Sequence, residues 1–144
     1  MEQKYERLKL ENQLCFPLYA CSREIIKNYG PALKKLGLTY TQYITMMVLW
    51  ERERISAKEL GTRLFLDSGT LTPVLKSLEA KGYVKRTRDG ADERLLICSL
   101  TPQGEALKEA AAEVPLKAAA CLNLDPEEAG QLYALLYKML DNFQ

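Results

Sequence analysis

Thiol chemistry is the first possibility that this chain raises, because its 144 residues include four cysteines and no histidine. The absence of histidine excludes a Ser-His-Asp triad, a Cys-His pair, a histidine general base and the usual histidine-containing zinc sites. The cysteines are Cys15, Cys21, Cys98 and Cys121. They form no C-x-x-C motif and do not cluster, which argues against a four-thiolate zinc site. We therefore expect neither a metal nor a cofactor.

A single free cysteine is most often a small, buried apolar residue. We expect this role for Cys21, within an N-terminal helix. We expect it also for Cys98, which alternates with Ile97 in a strand and should pack inward. Taken alone, Cys15 has the same interpretation, so its role depends on the elements around it.

Two short helices are predicted between residues 55 and 82. Ser56 and Glu59 form a capping-box sequence at the start of the first helix. Asp67 and Ser68 offer an N-cap for the second, and Gly82 suits a left-handed C-cap after it. Helical spacing in the second helix is shown by Leu71, Val74, Leu75 and Leu78.

A β-hairpin with a long polar tip follows these helices. Residues 83–88 and 95–100 form the expected strands, and Asp89-Gly90 is a turn signal between them. Two helices followed by a hairpin with a basic tip indicate a winged helix-turn-helix, which binds duplex DNA.

The exposed faces of these elements carry the residue types that contact DNA. At the start of the second helix, short polar side chains can reach base edges and phosphates; they are Asp67, Ser68, Thr70 and Thr72, with Lys76 further along. Pro73 is expected in the first turn, where a missing N–H costs little. The hairpin supplies Lys85, Arg86, Arg88 and Arg94. We expect Arg94 to enter a minor groove, held by Asp92. A basic hairpin alone would be a solvated surface; the capped helices before it favour DNA binding.

The charge distribution agrees with this interpretation. The net charge is only +1, but residues 54–94 carry nine basic and six acidic groups, whereas residues 95–144 carry three and seven. Weak overall attraction to phosphate means that tight binding needs a dimer or good base contacts.

The flanking segments predict a dimerisation frame. We expect a helix from about Leu10 to Tyr29 that Gly30-Pro31 breaks, and a short helix closed by Gly37. A helix opened by Thr101-Pro102 should kink at Pro115, and a last helix should start at Asp125-Pro126. These helices are too apolar for one small domain to cover, so a twofold homodimer on a palindromic operator is expected.

The predicted fold is therefore mainly α with a small β-hairpin wing. It is a single domain of residues 1–144, in which residues 1–36 and 101–144 form the outer helices and residues 38–100 form the winged region. The chain shows no signal peptide and no membrane-spanning run, so we expect a cytoplasmic protein.

The arrangement of these segments, with Asp92-Glu93-Arg94 in the wing, resembles the MarR family of bacterial transcriptional regulators. Within that family the chain is similar to the OhrR branch of organic-hydroperoxide-sensing repressors. The segments that carry this resemblance are Leu8–Phe16, Leu18–Glu24, Leu38–Tyr43 and Val48–Glu51. The resemblance covers nearly the whole chain.

The resemblance implies that Cys15 is the peroxide-reactive thiol and that Tyr29 and Tyr40 hydrogen-bond to it. A thiolate attacks peroxide, and two phenol donors could stabilise that anion without a histidine. Oxidation gives a sulfenic acid, which a second thiol converts to a disulfide. In some relatives a second cysteine, matched here by Cys121, forms this bond between subunits; others use a small-molecule thiol. A buried cysteine in an alanine-rich helix is the plain alternative for Cys121.

Pro17 departs from the pattern, because a proline inside a helix removes a hydrogen bond. Either the helix bends at Pro17, or it starts near Phe16 and leaves Cys15 at its N-terminus. The second case would favour a thiolate through the positive end of the helix dipole.

Three functions compete at this point. The leading one is a DNA-binding repressor that releases its operator when an oxidant such as an organic hydroperoxide modifies Cys15. The second is a MarR-type repressor released by a small aromatic ligand bound between the outer helices and the winged region. The third, a thiol peroxidase, is disfavoured because it leaves the winged motif unexplained, so we do not expect an enzyme.

Overall fold

The computed structural model describes residues 2–143, so the two terminal residues of the predicted domain lie outside the described residues. The helices are α1 Glu2–Glu6, α2 Cys15–Leu36, α3 Tyr40–Arg52, α4 Ala57–Leu64, α5 Ser68–Ala80, α6 Pro102–Ala111, α7 Val114–Ala120 and α8 Pro126–Leu140. The strands are β1 Arg54–Ser56, β2 Val84–Arg88 and β3 Leu96–Leu100. Short 3-10 turns occupy Leu10–Asn12 and Asp141–Phe143. This confirms the predicted fold class, mainly α with a small wing.

The wing belongs to a three-stranded antiparallel sheet rather than to a hairpin alone. The strand order is β1-β3-β2, and β1 pairs Ile55 with Cys98. The sequence does not predict β1, because three residues are too few to show an alternating pattern. This strand attaches the base of the wing to α3 and α4.

The core lies in the winged region and joins α3, α4 and α5 to the sheet. Its fully buried side chains are Met46, Leu49, Leu60, Leu75, Leu78, Thr45 and Cys98. The apolar stripe predicted for the second helix is buried along its whole length, from Leu71 to Leu78. Burial of this stripe leaves the opposite face of α5 free to meet a ligand.

Several helices begin at the residues that the sequence predicts. Asp67 accepts a hydrogen bond from the backbone of Thr70, and Thr101 accepts one from Gly104. At Ser56 the capping box is only half formed: the serine accepts from the Glu59 N–H, but the Glu59 carboxylate pairs with Arg52 at 3.2 Å. The charged partner is the stronger hydrogen-bond donor for this carboxylate.

The predicted break at Gly30-Pro31 is wrong, since α2 continues through both residues to Leu36. Pro31 removes one backbone hydrogen bond, but α2 packs against α3, α6 and α7, and Ala32, Leu33 and Leu36 beside the proline pack in or on the core. Tertiary packing therefore maintains the helix where local propensity opposes it. Gly37 ends it in the left-handed conformation, as predicted.

The start of α2 settles the position of Pro17. The helix begins at Cys15 rather than near Leu10, so Pro17 is its third residue. Backbone N–H groups in the first turn have no helical partner, and a proline is tolerated there. Cys15 is therefore the first residue of the helix.

Two other prolines differ from expectation. Pro115 does not kink one helix but separates two, because its ring clashes with the carbonyl of Ala111, where α6 ends. Pro73 lies in the second turn of α5 rather than in the first.

Candidate DNA-binding surface and thiol site

The N-terminal half of α5 presents polar side chains to solvent. Ser68, Thr70, Thr72 and Lys76 are all exposed. Asp67 caps the helix. Hydrogen bonds from Thr70, of which that from the backbone N–H has the largest effect, hold the pKa of the Asp67 carboxyl below its usual value. Asp67 thus fixes the first turn and orients the N–H groups that a phosphate would meet.

The tip of the wing carries an exposed cation, Arg94, on a turn that Asp92 holds. The Arg94 side chain is 95% exposed. Asp92 accepts hydrogen bonds from the backbone N–H of Arg94 at 3.0 Å and from its Nε at 3.4 Å. Arg88 and Lys85 are also exposed on β2. The geometry that the sequence predicts for Asp92 and Arg94 is present.

Arg86 stands apart from this set. Its side chain is only 19% exposed and pairs with Glu79 of α5 at 3.1 Å, while its backbone N–H donates to the same carboxylate. Arg86 therefore connects β2 to α5, the recognition helix, which is the helix predicted to contact DNA. In contrast to the DNA contact predicted for it, the Arg86 guanidinium is mostly buried and already paired with Glu79, which leaves it poorly available to phosphate.

A cavity of about 850 Å³ lies between α4, α5 and the end of the chain. Leu140 and Phe143 line it on one side, and Thr72 and Leu75 line it on the other. This is the space in which the ligand-release alternative would place a small aromatic compound.

Cys15 is exposed at the N-terminus of α2, whose cap residue Leu14 supplies no side-chain hydrogen bond. The tyrosines lie elsewhere. Tyr29 and Tyr40 pack edge to face with ring centroids 5.1 Å apart. Fourteen residues of helix separate Cys15 from Tyr29, a distance of about 21 Å at 1.5 Å per residue. Cys15 and Tyr29 of one chain therefore cannot form a hydrogen bond.

Sequence reasoning missed the third member of the aromatic cluster, Tyr43. Its ring centroid lies 5.9 Å from that of Tyr29 and 6.3 Å from that of Tyr40. The signal was available, because Tyr43 follows Tyr40 by three residues on one helix face. Burial raises the pKa of all three phenols above its ordinary value, which favours the protonated form that donates hydrogen bonds.

The other cysteines have different environments. Cys98 is fully buried, as predicted, and burial raises the pKa of its thiol to about 11, which disfavours the reactive thiolate. Cys21 is exposed rather than buried, because α2 buries only Leu33 in its C-terminal half. Cys121 is exposed at the C-terminus of α7, where its thiol contacts the Lys117 carbonyl at 3.6 Å.

Within residues 2–143, no group of three or more potential ligand side chains could hold a metal ion. No helix in that part of the chain is both long and apolar enough to cross a membrane.

Comparison with known proteins places the chain among transcriptional regulators. Residues 27–111 match the family model described as transcriptional regulator SarA/Rot. The organic hydroperoxide resistance transcriptional regulator of Bacillus subtilis is 47% identical over 98% of this chain and 96% of its own length. The regulator SarZ of Staphylococcus aureus is 50% identical over 88% of this chain and 86% of its own.

Solved structures agree with these relatives. Reduced AbfR bound to DNA, a protein of Staphylococcus epidermidis, superposes with a TM-score of 0.80 at 38% identity and covers both chains fully. The disulfide form of AbfR has a TM-score of 0.68 at 38% identity, over 99% of this chain and 97% of that one. The curated relatives are transcriptional regulators, and the DNA-bound structure of AbfR shares their fold with this chain. The chain therefore belongs to the MarR family of winged helix-turn-helix transcriptional regulators, in the group that includes the hydroperoxide resistance regulator of Bacillus subtilis.

Proposed function

We propose that this protein is a homodimeric repressor that releases a palindromic operator when an organic hydroperoxide oxidises Cys15. The observation that carries the proposal is the position of Cys15 and the tyrosine cluster near opposite ends of α2. Each half of the sensor is present in the chain, but the two halves cannot meet within one copy.

Unpaired apolar surface supports the homodimer. Helix α8 buries none of its side chains within the chain. Large apolar residues are exposed along α2, α7 and α8, among them Phe16, Leu18, Ile26, Leu116, Leu132, Tyr133 and Tyr137. Many large apolar side chains exposed on neighbouring helices are typical of a protein–protein contact surface. A second copy of the chain would cover it with the same helices.

A twofold axis would also complete the thiol site. If the α2 helices of two copies run antiparallel, the N-terminus of one lies beside the C-terminal half of the other. Cys15 of one protomer would then face the partner subunit's Tyr29 and the partner subunit's Tyr40. The same operation produces a second, identical site.

The chemistry proceeds in two steps. The Cys15 thiolate attacks the terminal hydroperoxide oxygen, the O–O bond breaks, and an alcohol leaves after it takes up a proton. The resulting sulfenic acid condenses with a second thiol, which forms a disulfide and releases water. The phenol donors and the positive end of α2 would stabilise the attacking thiolate. Cys121 is our candidate for the second thiol, since it is exposed on an outer helix; a small-molecule thiol is the alternative.

Oxidation would release DNA through the dimer. A disulfide or sulfenic acid at the subunit seam disturbs the tyrosine contacts and the packing of α2. Two recognition helices must stay about one DNA turn apart to read a palindrome. A change in their spacing or rotation removes one half-site contact and lowers operator affinity. The existence of reduced, DNA-bound and disulfide structures of AbfR favours this switch over release by a ligand.

Fluorescence anisotropy with a palindromic operator tests the proposal. We expect about one equivalent of organic hydroperoxide to release the wild type but not Cys15→Ser. Retention of DNA by both proteins would overturn the sensor assignment, and equal release of both would point to another residue. Non-reducing gels of wild type and Cys121→Ser show whether Cys121 forms the intersubunit bond.

A further inference from the structure

A polar network connects the tyrosine-bearing turn to the recognition helix. Gln42 lies in the first turn of α3, two residues after Tyr40. Its Nε2 donates to the Ser77 hydroxyl of α5 at 2.9 Å, and its Oε1 accepts from Lys81 Nζ at 2.9 Å. The same Oε1 accepts from the Thr39 backbone N–H at 3.0 Å. One buried amide therefore joins the start of α3 to the end of α5.

The orientation of this amide is determined by its partners. The Thr39 N–H and the Lys81 ammonium can only donate, so the atom that they share must be the oxygen. The amide nitrogen must then face Ser77. Lys81 also donates to the Gly37 carbonyl, which closes α2. The network thus connects α2, α3 and α5 at a single point.

Gln42 differs from the other buried polar side chain of the described core. Gln42 and Thr45 are both buried, at 7% and 0% exposure. Thr45 donates to the carbonyl of Thr41 within its own helix, at 2.7 Å. Gln42 instead bonds across helices. Hydrogen bonds depend steeply on direction, so the start of α3 and the end of α5 cannot move independently while these bonds persist.

The network lies next to the residues that would respond to Cys15. Tyr40 is the first residue of α3, and Tyr29 packs on it from α2. A displacement of these rings moves the turn that Thr39 and Gln42 cap. Ser77 lies nine residues after Ser68 on α5, about 14 Å along the helix axis. Because a helix is stiff, a displacement of α5 at Ser77 would tilt its N-terminal end, which is the end proposed to contact DNA.

We propose that Gln42 is a positioning residue that transmits the state of the Cys15 site to the recognition helix through Ser77 and Lys81. This inference rests on the proposed function, since it requires that Cys15 oxidation releases DNA. It adds a claim of its own, namely that the hydrogen bonds of Gln42 couple the Cys15 site to α5.

The test compares operator affinity before and after oxidation for each variant. Ser77→Ala removes only the bond to Gln42, and Ser77→Thr keeps a hydroxyl at the same position. Lys81→Met removes the ammonium, and Lys58→Met removes an exposed lysine of α4 as the charge control. The ratio of oxidised to reduced Kd cancels any loss of simple phosphate attraction. Melting temperature and the rate of Cys15 oxidation are measured in parallel.

We expect oxidation to weaken wild-type binding by about 5–150-fold, the usual range for coupled sites. In Ser77→Ala and Lys81→Met this ratio should fall by at least about threefold, which is more than independent sites normally deviate from additive effects on free energy. Ser77→Thr and Lys58→Met should retain the wild-type ratio, and the rate of Cys15 oxidation should be unchanged throughout. A purely structural role would lower the melting temperature and leave the ratio intact.

The two proposals fail in different ways. If wild type is released by oxidant and Ser77→Ala and Lys81→Met are released equally, the network carries no signal and only this inference falls. If wild type itself keeps its operator after Cys15 is oxidised, the proposed function and this inference fall together.

Discussion

The winged region and the outer helices differ in how far their apolar side chains are buried. In the winged region, Met46, Leu60 and Leu78 are fully buried by neighbours in the same chain. On α8, Tyr133 remains 63% exposed and no side chain is buried. The winged region therefore buries its apolar side chains within one chain, whereas the outer helices leave theirs exposed. Under the proposed function, the DNA-binding part is stabilised by contacts within the chain and the thiol site by contacts between chains.

The largest expected effect is in the core of the winged region. Leu78→Ala should lower the free energy of unfolding by about 2–5 kcal/mol, because it removes methyl groups from a site that cannot collapse. Urea denaturation followed by circular dichroism measures this. Lys58→Ala, at an exposed position of α4, is the control, and its free energy of unfolding should stay within about 0.5 kcal/mol of the wild-type value. A loss at Leu78 as small as that of the control would contradict the tight packing of this core.

A charge on the apolar face of α8 should act on association instead. Tyr133→Asp places an unpaired carboxylate in the proposed dimer contact, where an aromatic anchor is worth about 2 kcal/mol or more. Sedimentation equilibrium should show dimer dissociation increased by at least about 30-fold. Gln131→Asp introduces the same charge on the opposite face. If both variants dimerise like wild type, α8 does not form the interface.

Loss of the Arg94 cation at the wing tip should weaken DNA binding without changing dimerisation or stability. Arg94→Ala is expected to weaken operator binding by about 1–3 kcal/mol while the dimer and the melting temperature are retained. Anisotropy titrations at several salt concentrations measure this, with Arg7→Ala near the N-terminus as the control. Unchanged affinity in Arg94→Ala would exclude Arg94 from the DNA contact.

The smallest effect concerns the contact between wing and recognition helix. Hydrogen bonds from Arg86 hold the pKa of Glu79 below its usual value of 4.5. A lowered carboxyl pKa stabilises the folded state above the unfolded value, and this stabilisation is lost as pH falls through the folded value. Melting temperature should therefore fall less steeply below about pH 5 in Glu79→Gln than in wild type. Glu105→Gln is the control, and parallel curves for Glu79→Gln and wild type would show that the pair contributes nothing.

Local sequence signals predicted much of the winged region because its elements are specified by neighbouring residues. Caps at Asp67 and Thr101, the stripe from Leu71 to Leu78, and the Gly82 turn all appear as expected. Two predictions failed where contacts between elements override local preference. Pro31 does not break α2, and Arg86 turns to Glu79 instead of solvent.

Local signals in the sequence identify a thiol without histidine, capped helices, a basic wing and apolar outer helices. They also predict one helix that carries both Cys15 and Tyr29 and therefore keeps them apart within a chain. The contacts between helices become visible only in the folded structure, where Tyr29 of α2 packs on Tyr40 of α3 and Gln42 bridges α3 and α5. The physical reason is that caps and periodicity act over a few residues, whereas distances between helices are set by packing among residues remote in sequence.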